Sequence, residues 1–285
     1  MALFLYMSNP ASFDGIAFLS LDPSLYWLKC DVRSGEFRDV VSSILDTLDQ
    51  ESLKLAPTFA FIDPFGYKGL PLELIARIMA NPRCECLINF MYESFTRHAN
   101  KERVQPEFDL LFATTEWRDI LKVEDSRERY HLAVSLYRQQ LMKRGGVKYA
   151  RTFAMFDRFN QPEYVLFFGT NSPKGLSVMK GAMWKADRLG GQFFSDWTDT
   201  NQTVLFDPGQ QQGLRYELQR RFAGKGFMRI EELSDFVLFE TAYSETSHLK
   251  QLTLMPMEKE RVIEVQGTRG RRIGHYPDGT RIRFL

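Results

Sequence analysis

Cysteine and histidine are scarce in this 285-residue chain, with three Cys and four His. An odd cysteine count excludes a disulfide framework. Cys30, Cys84 and Cys86 are read as buried reduced thiols, with the Cys84/Cys86 pair on opposite faces of a strand. His98, His131, His248 and His275 are scattered along the chain, so no nucleophile–His–acid set can be assembled from spacing. Glu73, Glu85 and Glu93 match no ligand spacing and are read as solvated carboxylates, so no metal site is expected. No apolar run approaches the ~18 residues of a membrane span. The apolar start MALFLYMSNPASF lacks a basic leader region. A cytoplasmic protein without a membrane partner is therefore expected.

An excess of either charge is also lacking. The formal net charge is +1, which excludes a uniformly basic protein but not a basic face. Residues 213–285 hold 13 Lys/Arg against 10 Asp/Glu, and the last 25 residues hold six Arg against Glu264 and Asp278. A nucleic-acid surface, if there is one, belongs at that end. What the chain does have is apolar content: 44% hydrophobic residues, including 24 Phe, enough to bury a substantial core.

The pattern alternates strands and helices. GIAFLSLDP (15–23), WLKCDV (27–32), TFAFID (58–63) and CECLINFMY (84–92) read as strands. Apolar residues at 37, 40, 41, 44, 45 and 48, and PLELIARIMAN (71–81), read as helices. Residues 107–121 and 126–146 form a helical insertion, 149–158 and 163–171 an antiparallel pair, and 172–187 a helix. The fold class is α/β, with a Rossmann-like sheet parallel at its centre. Residues 188–212 are rich in Gly, Gln, Asp and Thr without helical period, and 196–212 read as a linker between a 1–195 domain and a 213–285 domain. The latter shows short helices and then a basic segment with a Pro277-Asp278-Gly279-Thr280 turn, the pattern of a winged helix-turn-helix.

PTFAFIDPFGYKGLP (57–71) carries the chemistry that can be argued. In open α/β sheets, ligands bind outside the carboxyl ends of the strands. Asp63 sits at such an end, and Asp22 ends the first convincing strand. Asp22 is placed to accept ribose hydroxyls, while Asp31 and Glu36 compete for an adenine amino group. Asp63 and the Pro64 carbonyl can accept from an exocyclic amino group. Phe65 or Tyr67 can stack on a flipped base, and Gly66 lets the backbone approach. Asn89 and Tyr92, after the next strand, can hold a substrate on the same edge. An ordinary strand-ending Asp-Pro turn explains the same residues, and both readings stay open.

FAFIDPFGYKGLP, LINFMYESFTRH, FATTEWRDIL, LYRQQLMKRGGVKYARTF and FFGTNSPKGLSVMKGAMWKAD, in this order, closely resemble the three-Cys-motif partner (TcmP) family. The resemblance covers about residues 55–187 and, more loosely, the tail. The family is similar to class I S-adenosylmethionine methyltransferases. It implies Asp63, Pro64 and Phe65 as catalytic-motif positions, S-adenosylmethionine as cofactor, and a radical-SAM-like three-Cys-motif protein as partner. The expected glycine-rich loop is missing, since only Gly15 precedes the strand read at 15–23, and no crossover helix fits between Asp22 and Cys30. The sheet is thus read as N-terminally incomplete. A methyltransferase-like component acting on DNA or RNA is the first functional expectation, and a non-catalytic adaptor for the partner is the alternative. Arg269, Arg271, Arg272, Arg281 and Arg283 are the expected phosphate-binding residues, with SETSHLKQLTL (244–254) as the recognition helix.

Overall fold

The structure, a computed structural model, describes residues 2–7, 16–21, 28–33, 35–64, 70–159, 161–187, 191–195, 208–267 and 271–285. It is a mixed α/β protein whose main sheet combines parallel and antiparallel pairs. The chain divides into two compact units, Met1–Gly175 with Ser195–Trp197 and Leu176–Phe194 with Thr198–Leu285.

The first unit opens with β1 (Ala2–Met7), β2 (Ile16–Leu21) and β3 (Leu28–Arg33). Next come α1 (Phe37–Gln50), β4 (Thr58–Ile62), α2 (Leu72–Met79) and β5 (Cys84–Phe90). The helical stretch is α3 (Tyr92–His98), α4 (Gln105–Phe112), α5 (Trp117–Ile120) and α6 (Ser126–Lys143). A hairpin of β6 (Tyr149–Phe156) and β7 (Pro162–Thr170) leads to α7 (Pro173–Ala186) and β8 (Phe193–Ser195). The sheet order is β3-β2-β1-β4-β5-β7-β6-β8. β4 runs parallel to β1 and β5, while β1–β2–β3 is an antiparallel meander.

Two sequence expectations change here. ALFLYM (Ala2–Met7) supplies a strand of its own, so the sheet does not begin at residue 15. β2 and β3 are antiparallel, and antiparallel strands need only a short turn. No crossover helix is therefore absent between them; one would be required only by a parallel pair.

Local signals set the elements. Phe37, Val41 and Leu45 recur every four residues and form the buried stripe of α1. The Asp125 carboxylate accepts from the Glu128 backbone N–H at 2.6 Å and starts α6. β4 alternates buried and half-buried positions, placing Ala60 and Ile62 in the core. Phe90 stacks on Tyr137 at 5.0 Å and meets Phe112 and Phe167 edge-on at 5.7 and 5.8 Å. Cys84 and Cys86 are both buried, because residues two apart on a strand share a face; this corrects the opposite-face placement. Burial pushes the Cys86 thiol up to about 12, so it is inert.

The second unit contains α8 (Pro208–Phe222), β9 (Met228–Arg229) and α9 (Ile230–Glu240). α10 winds as a π-helix over Glu245–Leu254 and as an α-helix over Met255–Lys259. β10 (Ile263–Gln266) and β11 (Arg281–Phe284) complete an antiparallel sheet of order β10-β11-β9. Thr280 N–H donates to Pro277 O at 3.1 Å, closing the expected turn just before β11. Leu214, Leu218, Leu233, Leu249, Ile282 and Phe284 meet in a core separate from that of the first unit.

From Leu176 onward, α7 belongs to this second unit, whereas the sequence pattern carries the first domain to 195. The cause is specific. Lys180 is 1% exposed, and its ammonium donates to the carbonyls of Val237, Leu238 and Thr241 at 2.7, 3.0 and 3.2 Å. Those carbonyls end α9, where a helix favours a cation. Trp184 donates to Ala242 O at 3.0 Å and stacks on Tyr243.

Candidate functional site

Asp63 directly follows β4, and its position is set by register. β4 and β5 pair in parallel up to Ile62↔Ile88. One residue further, Asp63 and Asn89 become neighbours, and Asn89 Nδ2 donates to Asp63 Oδ1 at 2.7 Å. The same amide nitrogen approaches Met91 Sδ at 3.4 Å. Asn89 Oδ1 is buried and has no hydrogen-bond partner among the described residues. With the Asp63 carboxylate oxygen as acceptor, the amide is fixed this way round. Pro64, buried, lines a narrow pocket with Asn89, Phe90, Phe95, Phe108 and Tyr137 that admits about one water molecule. The Tyr137 hydroxyl, fully buried, is likewise unpartnered, and burial raises its pKa strongly. Sequence reasoning missed Tyr137; its 3.6-residue spacing in α6 marks it only as core.

The other residues read from the sequence are dispersed. Tyr92 opens α3 and is buried, its ring edge-on to Tyr130 at 5.0 Å; burial raises its pKa and the nearby Arg129 opposes this. It serves the aromatic core. Phe65, Gly66 and Tyr67 lie outside the described residues, as does Asp22. The role read for Asp22 required a strand running the same way as β4. β2 runs the other way: its last residue, Leu21, pairs with Ala2 at the start of β1, on the edge opposite Asp63. Asp31 lies on β3, and Glu36 is the exposed residue capping α1. β3 ends on the Asp63 edge but is separated from β4 by β2 and β1, roughly 14 Å at about 4.8 Å per strand. An acid closing the strand beside β1 is what a cofactor ribose requires. With β2 reversed, the described residues do not fit S-adenosylmethionine in the expected way.

In the second unit the arginines take different roles. Arg271 is half-buried and forks onto Glu258, which also accepts from the Tyr276 hydroxyl at 2.7 Å. Burial alone would raise the Glu258 pKa, but Arg271, Tyr276 and the Gly274 N–H outweigh it and hold it below the ordinary value. Arg271 is thus a structural clamp, which corrects its placement on a phosphate-binding stripe. Arg272 and Arg281 are exposed; Arg283 is exposed but ion-paired to Glu264. Arg269 lies outside the described residues. Among the described residues no three His, Cys, Asp or Glu side chains gather as a metal set, and no helix is long and apolar enough to cross a membrane. Compared with protein-family models, curated proteins and solved structures, the chain has no match.

Proposed function

We propose that the chain is a non-catalytic, nucleic-acid-binding adaptor built on a methyltransferase-like scaffold and working beside a three-Cys-motif partner protein. β1, β4 and β5 run parallel, with α2 connecting β4 to β5 as in a doubly wound sheet, which supports the scaffold reading. The order of helices and strands in the second unit, with its three-stranded antiparallel sheet, supports a winged helix-turn-helix. The observation that carries the adaptor reading is the reversal of β2, which moves the end of that strand away from the edge where a cofactor would lie. Isothermal calorimetry with S-adenosylmethionine on the full chain tests it. No heat of binding at 100-fold the usual micromolar range is expected, that is ~100 µM, where the free energy would be about −5.5 kcal/mol. Micromolar binding that is lost in Asp31→Ala or Glu36→Ala would overturn the reading.

A second reading, an amino-group methyltransferase, is favoured by one feature. Asp63, the Pro64 carbonyl and the unpaired Asn89 Oδ1 offer acceptors at the adjoining ends of β4 and β5. Such acceptors suit an exocyclic amino group. The same calorimetry decides between the two readings.

A further inference from the structure

The exposed face of the small sheet in the second unit holds an arrangement that stability alone does not favour. β11 alternates exposed and buried positions, so Arg281 and Arg283 share the outer face. Arg281 is paired in register with Arg229 of β9, and both are exposed. Like charges directly opposite on antiparallel strands lie about 5 Å apart at Cβ and destabilise the sheet. Arg281 has no ion pair among the described residues, and its other register partner is the neutral Gln266. One row further, Arg283 contacts Glu264 on one side and lies 5.0 Å over the Phe227 ring on the other. Exposed Lys225, in the same α8–β9 connection, lies 5.9 Å over Phe222.

α10, the helix that a helix-turn-helix would insert into a groove, is poorly equipped by comparison. Its Lys250 ammonium donates to Tyr276 O at 2.8 Å, and its Gln251 amide to Gly274 O at 2.9 Å. Both side chains are committed to the 267–280 connection. What α10 leaves exposed within its π-wound part includes Thr246, Ser247 and Leu252.

We infer that the phosphodiester backbone of a nucleic acid lies across the outer face of β9 and β11, gripped by Arg229 and Arg281, with Arg283, Phe227 and Lys225 beside them, and that α10 is not the reading element. Adjacent cations that repel one another become favourable when a polyanion bridges them. Interleaved Arg and aromatic rings are the composition of backbone-tracking, sequence-tolerant surfaces. This rests on the adaptor reading's claim that the chain binds nucleic acid.

The test uses the full chain, a fluorescein-labelled 20-base-pair DNA duplex and a 20-nucleotide single-stranded RNA, with binding followed by anisotropy across a salt series. Arg229→Gln/Arg281→Gln is expected to weaken binding to the preferred probe at least tenfold at 100 mM salt. The log–log salt slope should fall by about 1.8 if the probe is duplex and about 1.4 if it is single-stranded. Ser247→Ala/Leu252→Ala is expected to change affinity less than twofold. All four positions are exposed, and circular dichroism checks that each variant is folded. If the wild type binds and the arginine variant binds equally well, the inference fails while the adaptor reading stands. If the α10 variant instead removes binding, the inference fails in favour of groove insertion. If the wild type binds neither probe, or polyglutamate of equal charge displaces them, both fail together.

Discussion

Glu258 shows how much one carboxylate can hold in place. It receives Arg271, the Tyr276 hydroxyl and the Gly274 N–H, and so pins the connection before β11 to α10. Its folded pKa is depressed, so the stabilisation is complete above the unfolded value, about 4.3, and is lost as pH falls through the folded value. Thermal melts between pH 7 and pH 3 are expected to show the melting temperature of the second unit falling with acid. Glu258→Gln should melt lower at pH 7 and lose less on acidification. A wild-type-like acid slope in that variant would remove Glu258 as the cause. The same neighbourhood explains why charge counting misassigned Arg271. Sequence shows that a guanidinium is present but not whether an acid thirteen residues earlier has already claimed it.

At the scale of elements, α7 is where pattern and packing part. Its periodicity and its Ser172 start are legible, since the Gly175 N–H donates to the Ser172 hydroxyl at 3.2 Å. Its partner is not. The pattern places a lysine at 180 without indicating that it would be buried under the last carbonyls of α9. Lys180→Met keeps the length of the side chain and removes the three hydrogen bonds of the ammonium to the end of α9, although the Val237 carbonyl keeps the Thr241 hydroxyl. A destabilisation of roughly 2–3 kcal/mol is expected in urea titrations monitored by tryptophan fluorescence. Lys180→Arg, whose larger fork does not fit a site shaped for an ammonium, should recover little of it. The Asp63–Asn89 pair lies at the same scale. Each residue was legible as a strand end, but their 2.7 Å contact needed the β4–β5 register.

For the whole molecule, the two cores are distinct clusters, and the second unit takes in Leu176–Phe194, chain from before the linker, held by the Lys180 and Trp184 hydrogen bonds. A fragment of residues 176–285 is therefore expected to show dispersed amide NMR signals. A fragment of 196–285, cut at the boundary suggested by composition, should lack the Lys180 and Trp184 contacts and give collapsed or heterogeneous spectra. Equal dispersion in both would show that α7 adds nothing to that unit.

By itself, the sequence determined the α/β alternation, the helices of the insertion, the helix–strand order of the tail and the position of Asp63. These follow from hydrophobic period, caps and turn residues, which act over a few neighbours. Tertiary structure alone decided that β2 runs against β1, that Asp63 meets Asn89, that Arg271 is consumed and that Arg281 is not. Strand direction, register and ion pairing depend on residues far apart in the chain. A stretch of alternating apolar residues reads the same in either direction, and an arginine reads the same whether paired or free.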